Sequence, residues 1–351
     1  MRNVAVLSFA QTPFQLREKL RSEVDMVMSV VREAIATSGV QKREIGFTCS
    51  GSSDYIAGQS FAFVGAVDAL GAWPTISESH VEMDGAWALY EAWIKIQTGM
   101  CDAALCFGFG RSSMGTLAET LTLQLDPYTL APLGIDSIGM AALQARAWLE
   151  RTGRSEREMA EVAVRSRRDA KDNPFAQLRG DFDVDKLLAE PAIASPLREH
   201  DCAPVSDGAA AIVIASEEVA RRVGERPVWI RGIDHRIDLH HPGVRDLTRS
   251  PSTALAARKA GVDPARIEVA ELHAPFTHQE LILREALELG PKVRINPSGG
   301  SLAANPMMAA GLVRIGEAAA QIRSGRARRA LAHATQGHCL QQNLVCWLEG
   351  A

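Results

Sequence analysis

Apolar runs of strand length alternate with segments of helical period along this chain, and the same succession occurs twice. In the first part, 4–9 reads as a strand. Residues 23–38 read as a helix, with Val24, Val27, Met28, Val31 and Ile35 on one face and Gly39 closing it. Segment 45–49 is a short strand, 60–70 and 86–98 are helices, and 103–108 is a wholly apolar run of the kind found in a central buried strand. From about 111 to 205 the pattern changes to helical stretches (138–150, 156–171) separated by irregular, proline-bearing segments, as expected of an insertion lying over the core. A buried strand resumes at 206–215. The order then repeats: strand 228–233, helix 252–260, strand 267–272, helix 279–289, a glycine-rich turn at 296–300, helix 307–322, and strands 330–333 and 344–348. Two halves with one succession point to an internal duplication, 1–216 (carrying the insertion) and 217–351. Alternation of this kind favours helices packed on both sides of mixed sheets, an α/β architecture.

Composition bounds the function. A chain of 351 residues that is 46% hydrophobic and 23% charged buries a large core without staples. The net charge of -4 gives no reason to expect a nucleic-acid partner. Basic clusters at 165–168 and 326–329 read as solvated helix faces, with a patch for a phosphorylated ligand as the other reading. The six cysteines form no C-x-x-C pair and no zinc spacing, so no metal is expected, and scattered thiols fit a reducing cytoplasm. The N-terminal apolar run is too short for a signal peptide, and no stretch is long enough to span a bilayer.

Four segments carry possible chemistry. Residues 296–306, Asn-Pro-Ser-Gly-Gly-Ser-Leu-Ala-Ala-Asn-Pro, hold Ser298, Gly299 and Gly300, where glycine permits close approaches, and Pro306 is well placed to start the next helix. A plain structural turn is the other reading. His273 stands at the C-terminal end of a strand, where α/β folds collect ligands, with His278 at the start of the following helix. His338 and Cys339 are adjacent in a loop between two strands. A thiol becomes a nucleophile when a neighbouring cation lowers its pKa, and a buried inert Cys339 is the alternative. The turn at 79–85 offers Glu82 and Asp84 ahead of a helix, where carboxylates cap and offset the dipole.

In this order, and with the strand Ser206-Asp-Gly-Ala-Ala-Ala as a fifth match, these segments resemble the thiolase superfamily over nearly the whole chain, most closely sterol-carrier-protein thiolases and bacterial lipid-transfer thiolase-like proteins. The resemblance implies two fused βαβαβαββ halves in a five-layer αβαβα arrangement, with a loop domain inserted in the first. It also implies a coenzyme A thioester as substrate, no covalently bound cofactor, and a homodimer. The family's nucleophilic Cys falls on Glu82 when counted back from Gly99 through Ile96, Ala92 and Gly85. The strand-end motif His-Asp-Cys-Phe is here His273-Ala-Pro-Phe276, so His273 persists and Pro275 replaces a Cys. The loop motif Gly-His-Pro becomes Ala304-Asn-Pro306, so Asn305 stands near the loop His. His338 or Cys339 lies near the C-terminal loop position.

Thiolysis needs an acyl-Cys, a base and donors for an enolate oxygen, and losing one member of such a unit costs orders of magnitude. With those members replaced, and the glycine-rich loop of Ser298, Gly299 and Gly300 retained for acyl-CoA, three readings follow. The first is retro-aldol cleavage of a bulky, steroid- or lipid-like β-hydroxyacyl-CoA, with His273 and Asn305 as donors and His338 as base. Thiolase-like proteins of steroid side-chain breakdown act this way with a small partner bearing an OB fold and a zinc ribbon. Those use active-site tyrosines, whereas Tyr55, Tyr90 and Tyr128 fall outside the equivalent loops here. The second is a non-catalytic subunit of a complex. The third is acyl transfer through Cys339.

Overall fold

The computed structural model describes residues 2–73, 75–224 and 226–351. In the first half, β1 (Val4–Gln11), α1 (Glu23–Ser38), β2 (Phe47–Gly51), the short α2 (Asp54–Ala57), α3 (Ala62–Leu70), β3 (Glu78–Val81), α4 (Gly85–Gln97), β4 (Ala103–Arg111) and β5 (Val205–Ser216) follow one another. Between β4 and β5 stand α5 (Leu117–Thr122), α6 (Ser137–Thr152), α7 (Glu156–Asp169) and α8 (Val184–Ala189). Helix α9 (Glu217–Val223) leads to β6 (Val228–Ile237), α10 (Pro251–Lys259), β7 (Val269–Leu272), α11 (Thr277–Ala286), β8 (Arg294–Ile295), β9 (Asn305–Pro306), α12 (Ala310–Arg323), β10 (Arg329–Gln336) and β11 (Gln342–Gly350).

The duplication is written in the strand order. The first half runs β3-β2-β4-β5-β1 and the second β8-β7-β10-β11-β6. Each strand of one half thus occupies the place of its counterpart in the other. Senses agree as well: β2 is parallel to β3 and β4, as β7 is to β8 and β10, and the last two pairings of each half are antiparallel. The halves join where β1 meets β6, Val4 opposite Ile230.

Packing completes five layers. Met26, Val27 and Val31 of α1 cover Leu105, Phe107 and Val213 on the outer face of the first half. Between the two halves of the sheet lie α4 and α12, whose Leu89, Ile96, Leu312 and Ile315 are fully buried in the largest core. Each such side chain contributes roughly 1.5–3 kcal/mol by leaving water. The outer face of the second half is covered by α10 and α11 together with Ala141, Trp148 and Met159 from α6 and α7. The insertion of the first half therefore packs on the second.

Three sequence expectations change. Strands run past their apolar stretches into polar ends, β10 to Gln336 and β4 to Arg111, because the ladder continues where the apolar run stops. The helix expected from 307 starts at Ala310, since Asn305 and Pro306 pair with Val205 and Ser206 of β5 and Met308 turns through the left-handed region at φ 67°. The 165–168 cluster is not a solvated face. Arg165 pairs with buried Glu280, and Arg167 lies over the Phe182 ring at 4.7 Å; Arg168 is the exposed member. Among the described residues, no helix is long and apolar enough to cross a membrane.

Candidate functional site

Where the insertion meets the loops of the second half there is a cavity of about 350 Å³. Its apolar side comes from Leu117, Leu121, Ile138, Ala141, Phe276 and Met307. Its polar side gathers Asp84, His273, Asn305, Thr335, Gln336 and His338. A concave, mostly apolar site with a few convergent polar groups is what a small-molecule site requires.

His273 follows the last residue of β7, and its N–H donates to the His333 carbonyl at 3.1 Å. The Thr335 N–H donates to His273 Nδ1 at 3.3 Å, so Nδ1 is the acceptor and the ring proton sits on Nε2. That Nε2–H donates to Asn305 Oδ1 at 3.1 Å. The oxygen of the Asn305 amide being engaged, its NH2 is the end left for the cavity. Burial holds the imidazole neutral, its pKa pushed down to about 3, aided by His333 and the Arg314 charge. Asn305 is fixed through its backbone, with its N–H donating to Ser206 Oγ at 3.0 Å.

The loop after β10 bends through the left-handed region at Gly337 (φ 77°), Cys339 (φ 55°) and Leu340 (φ 57°). Such strain in non-glycine residues persists where the surroundings enforce it. Here Arg245 does so, donating to the His338 carbonyl at 2.9 Å and the Cys339 carbonyl at 3.3 Å. His338 lines the cavity. Its Nε2 is buried without a partner among the described residues, and burial lowers its pKa. Cys339 is different: its thiol is turned toward the Met140 carbonyl at 3.5 Å, and burial pushes its pKa up to about 12. The nearby Arg245 lowers it by less. Cys202, also on the wall, is pushed to about 12 for the same reason. Neither is a thiolate at neutral pH.

Glu82 does not join this group. It is exposed, and its carboxylate accepts the Asp54 N–H at 2.6 Å. Two residues on, Asp84 lies fully buried. Its carboxylate accepts from Ala86 at 2.8 Å, Gly311 at 2.9 Å and Leu312 at 3.0 Å, and its own N–H donates to Gln336 Oε1 at 2.9 Å.

The glycine-rich turn stands behind the cavity wall, and Ser298, Gly299 and Gly300 do not line it. Ser298 donates through N–H (3.0 Å) and Oγ (2.7 Å) to Glu271, which also pairs with Arg314 at 2.8 Å. Gly299 and Gly300 take φ of 99° and 63°, and a Cβ on Gly299 would come within 2.6 Å of Ala170 and Ala303. Gly299 thus serves close packing between this turn and the insertion, and Gly300 close packing against Asn296 within the turn. Ser298 closes a buried charge network in which Glu271 is pushed up to about 7 by burial.

Of the residues singled out from sequence, His273, Asn305, His338 and Cys339 line this one cavity. Sequence reasoning missed Thr335, which sets the His273 tautomer, because a backbone N–H leaves no mark in sequence. It also missed the wall residues Leu117, Leu121 and Ile138, which look like ordinary helix apolars. Among the described residues, no group of three or more His, Cys, Asp and Glu could hold a metal ion.

Comparisons with known proteins agree with this architecture. The thiolase N-terminal domain family matches residues 4–218. Benzoylsuccinyl-CoA thiolase subunit BbsB of Thauera aromatica is 25% identical over 390 aligned positions, covering 99% of both chains. Sterol carrier protein 2 of Gallus gallus is 26% identical over 382 positions, covering 95% of this chain and 69% of that protein. Among solved structures, an Ltp2-ChsH2(DUF35) aldolase superposes with a TM-score of 0.83 at 22% identity, covering 98% of this chain and 97% of that one. The chain belongs to the thiolase family.

Proposed function

We propose that the chain is a carbon–carbon lyase that cleaves a bulky, apolar β-hydroxyacyl-CoA by a retro-aldol reaction. The observation that supports this best is the His273–Asn305 pair: a neutral imidazole orients the Asn305 amide and leaves its NH2 free beside an apolar cavity whose thiols are protonated. In this reading His338 Nε2 accepts the β-hydroxyl proton. The C–O bond becomes a carbonyl, the Cα–Cβ bond breaks, and its electron pair passes into the thioester as an enolate. The Asn305 NH2, held in place by the His273 Nε2–H on its Oδ1, stabilises the oxygen that gains charge, and a proton added at Cα releases the shortened acyl-CoA. No acyl-enzyme is needed, so the replacement of the family's Cys by Glu82 and its exposed position are no obstacle. Acyl transfer through Cys339 has no comparable support, given its raised pKa.

The aldolase comparison is with a structure whose name joins two components. We further propose that this chain works as a homodimer in the cytoplasm with a small OB-fold and zinc-ribbon subunit; the scattered thiols, the thiolase resemblance and that two-component name support this reading. The test is an assay of the purified chain, alone and with such a subunit, against β-hydroxyacyl- and β-ketoacyl-CoA thioesters. Ketone or aldehyde release without added CoA is the expected result. Cleavage that depends on added CoA overturns it in favour of a thiolase reaction, and activity with the partner that survives His273→Ala, Asn305→Ala and His338→Ala assigns the chain a non-catalytic role.

A further inference from the structure

We infer that Asp84 is the positioning residue of the site, a single carboxylate that caps two helices of different halves and thereby sets where Asn305 and the 336–340 loop stand. An N-cap side chain satisfies the orphan N–H of the second or third helical residue. In α4 the cap is Asp84 itself, accepting from Ala86. In α12, the counterpart of α4 in the duplicated half, the N-cap position is Ala309, which has no acceptor side chain. Its second and third residues, Gly311 and Leu312, donate to Asp84 instead. One half thus supplies the cap that the other lacks.

The bolt reaches the chemistry through backbone. Gly85 donates its N–H to the Met308 carbonyl at 2.8 Å, tying the α4 N-terminus to the strained segment that carries Asn305. Asp84 N–H holds the Gln336 side chain at the head of the loop that bears His338. The approach admits no side chain: a Cβ on Gly311 would lie 2.6 Å from Asp84 Oδ1 and 2.5 Å from the Ala334 Cβ. Burial raises the Asp84 pKa, and two helix N-termini facing the carboxyl oppose that shift at 1% exposure, with no cationic partner in contact among the described residues. Its three N–H donors occupy the carboxylate, so Asp84 acts through the residues it holds and does not attack substrate.

The inference rests on the lyase reading for its kinetic test and is independent of it for its structural test. Asp84→Ser keeps a side chain able to cap α4 but is too short to span to α12. In the full chain it should lower kcat for thioester cleavage roughly 100-fold with KM little changed, the effect of misplacing catalytic donors by about 1 Å. Deuterium exchange should quicken at Gly311 and Leu312 and also across 305–308 and 336–340. As a control, Asp183→Ala removes the side-chain cap of α8, where Asp183 accepts from Lys186 at 2.9 Å, and should change neither readout. If Asp84→Ser does not fold, Asp84→Asn keeps the shape, turns one donor against the Gly311 N–H, and should shift both readouts in the same direction by less. Wild-type kcat with faster exchange confined to the first turn of α4 overturns the inference. If the wild-type chain cleaves no thioester of the panel, the lyase reading fails, and the exchange pattern alone decides on Asp84.

Discussion

His273 donates its Nε2–H to the Asn305 side-chain oxygen at 3.1 Å, and this bond orients both residues for one task. With Thr335 N–H on Nδ1, the ring has one tautomer; with Oδ1 engaged, the Asn305 amide has one orientation. Burial keeps the pair uncharged. On the lyase reading, the free Asn305 NH2 is a neutral donor that gains a charged acceptor only when an enolate forms, which favours the transition state over the ground state.

Asn305→Asp should therefore be far worse than its size suggests. It removes the amide donor and sets a carboxylate where the enolate oxygen develops charge. We expect kcat to fall roughly 10²–10³-fold, the usual loss for one oxyanion donor, with a smaller change in KM. Steady-state kinetics on the cleaved thioester checks this, and a kcat within a few-fold of wild type excludes Asn305 as a donor.

Acid should destabilise the fold through its buried histidines. His273 and His278 are pushed down to about 3 and His333 to about 4, all by burial, against an unfolded value near 6.5. Below that value the unfolded chain binds protons that the folded chain refuses. Stability is therefore complete above about 6.5 and is lost as pH falls toward 3–4, by about 1.4 kcal/mol per pH unit for each histidine. Glu271 works in the other direction: raised to about 7, its carboxyl takes a proton first in the folded state, so its term favours the fold as pH falls. Three histidines outweigh it. Urea unfolding at pH 5 and 8 should show the loss. His278→Asn, which removes one titrating ring outside the cavity, should reduce the slope by about 1.4 kcal/mol per pH unit.

How much of this was legible in sequence depends on what each residue touches. The duplication was, because strand and helix periods survive in each half, and the topology repeats strand for strand. His273 was legible as a strand-end polar residue next to a motif. The purpose of the glycines in the turn of Ser298, Gly299 and Gly300 was not legible, because positive φ demands glycine equally for packing on Ala170 and for approach to a ligand. Asp84 read as an ordinary helix cap. That it caps a second helix 227 positions away is a tertiary fact with no local signature.

Cys339 should be dispensable. Its thiol is buried against the Met140 carbonyl and pushed up to about 12. Cys339→Ser preserves the side-chain volume and a donor for that carbonyl, so cleavage should stay within about threefold of wild type, a change under 1 kcal/mol in barrier. Iodoacetamide at pH 7.5 should leave Cys339 unlabelled in the native chain, as read by mass spectrometry of the digested protein. Rapid labelling blocked by an acyl-CoA would instead revive it as a nucleophile.

Arg314 should be the most costly single loss behind the site. It is 3% exposed and pairs with fully buried Glu271 at 2.8 Å, while also donating to Ser298 Oγ at 2.8 Å. Arg314→Met strips the cation and leaves the carboxyl uncompensated. Breaking a buried pair from one side costs about 3–5 kcal/mol. Glu271 already titrates near 7 with Arg314 present, so without it the carboxyl is driven further up and stays neutral in the folded variant at pH 7. A folded pKa raised above the unfolded value gives stability that is full below about 4.5 and fades as pH rises. The penalty of Arg314→Met should accordingly be smaller at pH 5 than at pH 8 in urea titrations. Adding Glu271→Gln should flatten that pH dependence and recover part of the loss, since the amide keeps an acceptor for Ser298 and carries no charge. A penalty equal at both pH values would show that Arg314 acts by packing and that the charge on Glu271 plays no part.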